Sequence, residues 1–135
     1  MALIWVKNIE DETKHNTNFR TELWTGKYSQ LTVMSIPAGG EIGLEVHPEV
    51  DQFLRFEAGK ARVEVGEAED NLTEKYEVED DWAIIVPAGT WHNIINTGDE
   101  DLKVYSIYSP PNHPKGTVHV TKADADAAEA EEHGH

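Results

Sequence analysis

At 135 residues, with 39% hydrophobic content, four Trp, four Tyr and three Phe, the chain has length and apolar material for one domain with a real core, and too much of both for a disordered segment. Its 26 acidic against 11 basic residues give a net charge of −15, which serves solubility, repels phosphate backbones and anionic lipids, and argues against nucleic acid as a partner. Cysteine is absent, so disulfides and thiolate metal sites are excluded, and a metal would have to be held by His nitrogens and by carboxylate or amide oxygens.

Residues 1–18 form an N-terminal segment with a short apolar start and a polar stretch, KNIEDETKHNTN, that has no clear period. The start MALIWVKNIEDETK lacks a basic region followed by a long apolar core and a cleavage site. No apolar run is long enough to span a membrane, so a cytoplasmic protein without a membrane partner is expected. From Phe19 to about residue 110, short apolar runs alternate with turn chemistry: FRTELW, QLTVMSIP, IGLEVH, QFLRFE, KARVEVG, KYEVE, WAIIVP, HNIINT and LKVYSIYS. The separators PAGG, EAG, EAEDN, PAGT and TGDED mark turns, and no helical period persists over three turns. Many short strands at this spacing predict an all-β sandwich or barrel. Residues 111–135 change character. SPPNHPKGTVHV reads as an extended Pro-rich arm, and TKADADAAEAEEHGH as a frayed helix or mobile acidic tail in which His133 and His135 hold no geometry.

Two blocks carry the chemistry. In the first, Gly39, Glu45, His47, Gln52 and Gly59 are separated by five, one, four and six residues. In the second, WAIIVPAGTWHNIIN, the residues Pro87, Gly89, His92 and Asn96 are spaced P-x-G-x-x-H-x-x-x-N. Gly39, Gly59, Pro87, Gly89 and Asn96 are read as structural turn positions. Successive strand side chains alternate faces, so Glu45 and His47 project to one side while Leu44 and Val46 take the other. HPEVD then supplies a turn after which Gln52 can begin a strand running back antiparallel beside the first. The Pro-Ala-Gly-Thr turn aims His92. Two imidazoles, a carboxylate and an amide oxygen suit a divalent transition metal; without the amide, Glu45, His47 and His92 make a two-His-one-carboxylate triad with open positions.

In spacing, both blocks resemble the signatures of the cupin superfamily, G-x5-H-x-H-x3-4-E-x6-G and G-x5-P-x-G-x2-H-x3-N, as found in small single-domain members. The letters depart from it in three places: Glu45 replaces the first histidine, Gln52 the glutamate, and Asp81 the glycine that opens the second block. The resemblance implies a double-stranded β-helix (jelly-roll) barrel over residues 19–110. It also implies one divalent metal, with iron, manganese, nickel, copper and zinc undistinguished, held inside by Glu45, His47, Gln52 and His92. The two substitutions keep one carboxylate in the set, which favours a retained site over a degenerated one.

Against that stands a blander reading, in which the histidines are hydrogen-bonded core residues in a metal-free pocket. Glu45 buried without a cation would then be costly. Glu49 and Asp51 read as solvated turn residues, and Arg55 and Arg62 as facing solvent or a partner subunit. His15, His113 and His119 have no partner at ligand spacing, although His113 and His119 flank an arm that could close over a barrel mouth. Trp91 and Ile95 oppose His92, so the outer face should be covered, by an N-terminal strand or by the second subunit of a homodimer, as the resemblance implies.

The expected function is a metal-dependent, oxygenase-type enzyme acting on a small organic molecule, with Phe56, Ile94 and Tyr105 or Tyr108 as pocket wall. A sugar isomerase or epimerase is the alternative. For phosphorylated sugars it needs a cationic anchor, and no basic residue reads as inward. A non-enzymatic metal- or ligand-binding module is the third reading.

Overall fold

A computed structural model describes residues 3–133, with side chains as far as Ala130, so the side chain of His133 and all of His135 lie outside the described residues. The elements are α1 (Ile9–His15), β1 (Arg20–Thr25), β2 (Gln30–Ile36), β3 (Asp51–Ala58), β4 (Lys60–Gly66), β5 (Glu74–Glu79), β6 (Ala83–Val86), β7 (Trp91–Asn96), β8 (Leu102–Ser109), β9 (Val118–His119) and α2 (Lys122–His133). A six-stranded sheet, ordered β6-β3-β8-β2-β1-β9, faces a three-stranded one, ordered β5-β4-β7, and neighbouring strands are antiparallel. This is the double-stranded β-helix expected of the sequence.

The interior has a polarity gradient written in the register. The inward rung Phe56–Val104–Met34 crosses β3, β8 and β2 with every residue fully buried. One rung along, Leu54 meets Ser106 and Thr32; the next is Gln52, Tyr108 and Gln30. Leu102, Ile36, Ile94 and Val63 join the apolar end. Each such side chain removed from water contributes on the order of 1.5–3 kcal/mol. Stability therefore sits at one end of the barrel, which leaves the other end free to hold polar groups.

Two features depart from the pattern read in the sequence, and a third, the helix of the acidic tail, takes one of the two alternatives read there. IGLEVH is not a regular strand: Gly43, at φ +110°, interrupts it, and only isolated bridges join Glu41 to Ile95 and Glu45 to His92. The segment lies along the free edge of β7, not beside β3 as expected, through Ile42 N donating to Ile94 O (2.8 Å) and Asn96 N to Gly40 O (2.9 Å). The N-terminal segment contains α1, too short for a visible period. Asn8 Oδ1 caps it by accepting from Asp11 N at 3.1 Å, and Glu10, Asp11 and Glu12 occupy its first turn. The acidic tail forms α2, started by a reciprocal Thr121–Asp124 capping box, and Ala125 is buried against the barrel.

The turn positions show why their residue types are needed. Gly39 and Gly89 follow Pro-Ala in turns closed by Gly40 N to Pro37 O and Thr90 N to Pro87 O, each glycine at φ near +80°. At Gly59, a Cβ would lie 3.1 Å from the backbone of Leu102. Buried Asn96 donates to Ile36 O and Glu100 O and accepts from Gly98 N, tying β7 to the end of β2. Asp81 adopts φ +73°, the left-handed conformation of the glycine it replaces, and its carboxylate accepts from Arg55 Nη2 at 3.0 Å. Its backbone N donates to Phe56 O at the apolar end of β3, so the substitution alters a turn and not the polar end of the barrel. Asp81→Gly should change stability by less than about 1 kcal/mol, because relief of the left-handed strain offsets glycine's chain entropy. Asp81→Val should cost roughly 1–2 kcal/mol in a denaturant melt; a tolerated valine would contradict this account of the turn.

Candidate metal centre

At the polar end, the two sequence blocks meet through main-chain bonds. Glu45 N donates to His92 O at 2.9 Å, and His92 N returns the bond to Glu45 O at 3.0 Å. Gly89 N donates to His47 O at 2.9 Å, and Asp51 Oδ1 accepts from Ala88 N at 2.9 Å. Asp51 is exposed, as expected, and also braces the turn before His92.

The side chains converge accordingly. One oxygen, Glu45 Oε1, lies 3.3 Å from His47 Nε2 and 3.4 Å from His92 Nε2, and one ligand atom from each residue falls within 4.8 Å of the others. Two ligands at about 2.1 Å from a metal, at octahedral to tetrahedral angles, stand about 3.0–3.4 Å apart. The ring of His92 is oriented by its Nδ1, 3.0 Å from Thr90 O. A carbonyl can only accept, so Nδ1 carries the proton and Nε2 faces the cluster as a lone pair. Both Nε2 atoms are buried without a hydrogen-bond partner, and so is Gln52 Oε1. Gln52 reaches the interior from the opposite sheet, its Nε2 donating to Ser106 Oγ at 2.8 Å. Buried acceptors without donors are costly, and a cation beside Glu45 satisfies both imidazole nitrogens together. The residues present fit a divalent metal held by Glu45, His47 and His92.

Electrostatics agree. Burial alone would push the Glu45 carboxyl up, but in the metal-free state, when Nε2 of His47 or His92 carries a proton, the contact and charge of these imidazoles hold it well below the usual carboxylate range. Burial would pull His92 down, yet Glu45 wins and raises it.

A family model described as "Cupin domain" matches residues 32–108, more than half of the chain. The chain is a member of the cupin family. It is similar to YrkC of Bacillus subtilis, 62% identical over 125 residues that cover 93% of this chain and 67% of that protein. L612 of Acanthamoeba polyphaga mimivirus is 38% identical over 120 residues, covering 88% of this chain and 73% of that protein. The crystal structure of BH2720 from Bacillus halodurans superposes with a TM-score of 0.90 at 60% identity, covering 91% of this chain and 93% of that one.

The cupin pocket is not walled by the residues expected. Phe56 and Ile94 belong to the closed apolar core beneath the cluster, because they sit two rungs and one rung from its level. Tyr105 lies on the outer face, its ring 6.1 Å from Phe53, since it is out of phase with the inward residues Val104 and Ser106. Tyr108 does face inward, fully buried, with its ring 5.8 Å from His47. The mouth above the cluster is a cavity of about 420 Å³ whose lining includes Arg20, Glu45, His47, His113, His119 and Glu129. The arm does cross this mouth. Gln30 clasps it, Oε1 accepting from Asn112 N and His113 N while Nε2 donates to His113 O. His113 Nε2 lies 3.3 Å from Tyr108 Oη, and burial, then Arg20, pushes this imidazole down to about 3, so it is neutral. Arg20 on β1 is inward and 6% exposed, which corrects the expectation that no basic residue points in. Bulging of β1 between Glu22 and Trp24 breaks its alternation, and the arm's contacts span about a hundred positions, so neither feature was readable from local pattern.

Metal and proton compete for the imidazole nitrogens, and His92's raised proton affinity sharpens the competition. Calorimetric titration of Zn(II) into tag-free protein should give roughly tenfold or more weaker binding near pH ~5.5 than near pH ~7.5. Equal affinities would remove His92 from the ligand set. Without metal the signs are different. Glu45's lowered value contributes stability that is present above the carboxylate range and lost as the pH falls; His92's raised value contributes below ordinary imidazole pH and is lost as the pH rises through its folded value.

Proposed function

We propose that this cupin is a metal-dependent enzyme on a small organic molecule, with oxygenation as its reaction. One observation carries the reading: two buried imidazole nitrogens without hydrogen-bond partners flank the same carboxylate oxygen, at 3.3 and 3.4 Å, beneath a cavity of about 420 Å³. A redox-active divalent metal bound there supplies Lewis acidity toward an oxygen donor of the substrate and electrons toward dioxygen. Glu45, His47 and His92 hold it on one side of the barrel, which leaves the mouth side for substrate. Gln52, fixed by Ser106, adds an amide oxygen or accepts a substrate proton donor. Thr90 O keeps the proton of His92 on Nδ1. Buried Tyr108 and the apolar rungs below exclude water from the floor.

An isomerase of the same pocket is the second reading, and Arg20 favours it more than the sequence did, since a cation now stands inside. Turnover without oxygen would separate it from oxygenation, and a binding module would show neither. We also propose a homodimer. The outer face of the large sheet exposes Ile85, Ile107 and Trp24, which a second copy of that face would cover; sedimentation at micromolar concentration should find twice the monomer mass, and a monomer would refute it.

Metal content of tag-free protein, purified beside Glu45→Ala and His92→Ala, tests the main reading. About one metal per chain in the parent, and at least about tenfold weaker retention in both folded variants, is the expected result. A folded parent that refuses every divalent metal offered would overturn it.

A further inference from the structure

Resting on the metal-site reading, we propose that Arg20 is an anion subsite in the cavity mouth, and that the substrate is a small organic monoanion whose carboxylate docks on it while an oxygen donor faces Glu45, His47 and His92. Arg20 is 6% exposed and lines the same cavity as Glu45 and His47, two of the three candidate ligands. Its Nη1 lies 3.2 Å from His119 Nδ1, and its guanidinium stands 5.4 Å over the Phe19 ring. A guanidinium only donates, so His119 Nδ1 accepts and this contact cancels no charge. Arg20 Nε is buried without a hydrogen-bond partner, and among the described residues no carboxylate lies within ion-pair distance of the fork.

An arginine held in this way is unusual. A buried cation is ordinarily paired, and Arg55 and Arg62 show the ordinary case here, each with a carboxylate within 3.3 Å although both are more exposed. In a chain with 26 acidic residues, an inward arginine that meets none of the described ones within ion-pair distance is matched to a counter-charge from outside. Planar carboxylates are what its remaining donors fit. The neighbouring His113 suits this role, because it is neutral and adds no second cation. Glu49 and Glu129 also line the cavity, and their charge disfavours multiply charged anions such as phosphate esters. The volume lies near the lower end of the small-ligand range. Single charge, planarity and modest size therefore point to a monocarboxylate.

The test is calorimetric binding of a panel of C2–C8 monocarboxylates bearing a 2-oxo or 2-hydroxy group, each beside its neutral primary amide. It uses full-length protein, metal-free and Mn(II)-loaded, as parent, Arg20→Gln, Arg20→Lys and Glu45→Ala. At least one acid should bind the parent about 10- to 100-fold tighter than its amide, matching hydrogen bonds to a charged group. Arg20→Gln should lose that preference while keeping the parent's Mn(II) affinity, and Arg20→Lys should recover part of it. An acid that binds Arg20→Gln as it binds the parent, or a panel in which no acid outbinds its amide, would overturn the proposal. Should Arg20→Gln not fold, the acid-to-amide ratio in the parent and in Arg20→Lys decides. Failure of the metal reading looks different: no Mn(II) uptake by the parent and no effect of Glu45→Ala on it, with the acid preference still dependent on Arg20.

Discussion

The reciprocal main-chain bonds between Glu45 and His92 are the constraint on which the site depends. They join the segment between β2 and β3 to strand β7, and they set which side chains enter. A slip of one residue would exchange His92 for Trp91 or Asn93 and turn the imidazole out of the interior. Gly43, where the ligand-bearing segment leaves regular strand geometry, is pinned by Asn93 Oδ1 at 2.9 Å, so the irregularity is itself held in register. Gly89 N on His47 O and Ala88 N on Asp51 Oδ1 fix the other end. The candidate ligands are positioned by backbone, and their side chains need little further ordering when a cation binds.

Such a site is tolerable because the barrel divides its labour by depth. The Phe56, Val104 and Met34 rung, with Leu54, Leu102 and Ile94, buries enough apolar surface to fold the sheets together. The Gln52, Tyr108 and Gln30 rung adds little of that, and it carries a buried acceptor, Gln52 Oε1, that the protein does not satisfy. Native interiors avoid such groups unless something else meets them. Among the described residues, His47 Nε2, His92 Nε2 and Gln52 Oε1 gather at the polar end, Thr32 Oγ1 lies one rung nearer the apolar core, and Glu57 Oε1 at the other end has Arg55 Nη1 at 3.3 Å. The gathering marks the polar end as built for what it binds.

The strands were legible because alternation is local, and Glu45, His47 and His92 were legible because spacing within two blocks is local too. Alternation also separates Tyr105 from Tyr108: three apart on one strand, they face opposite ways, and only Tyr108 shares parity with Val104 and Ser106. Depth was not legible. Phe56 and Ile94 have the right parity for the interior, but only the register of β3 against β8, and of β7 against β4, shows that they lie below the cluster. Helix α1 was hidden by its length, although Asn8 followed by three acids is a readable cap. Arg20, His113 and His119 could not be assembled from the sequence at all. Their proximity arises where residues 112–119 return to β1 and β2, and no periodicity encodes a contact across that separation.

The exchange of letters between the two ligand positions acquires a physical meaning from this geometry. Relative to the pattern the chain resembles, the carboxylate has moved from position 52, on the six-stranded sheet, to position 45, beside both histidines on the edge of β7. Glu45 Oε1 now lies between the two imidazoles, and the part of the large sheet that lines the interior near the cluster presents Gln52, Ser106, Thr32, Tyr108 and Gln30, none of them an anion at neutral pH. Arg20 belongs to that same sheet. A glutamate at position 52 would place a second negative charge in the enclosed space and compete with any bound carboxylate for the guanidinium. With glutamine there, the negative charge of the cluster is concentrated on the histidine side and the guanidinium has no described carboxylate within ion-pair distance on the other. The swap conserves the cluster's total charge while separating its poles across the barrel, which is the arrangement a small molecule with one anionic end and one metal-seeking end would require.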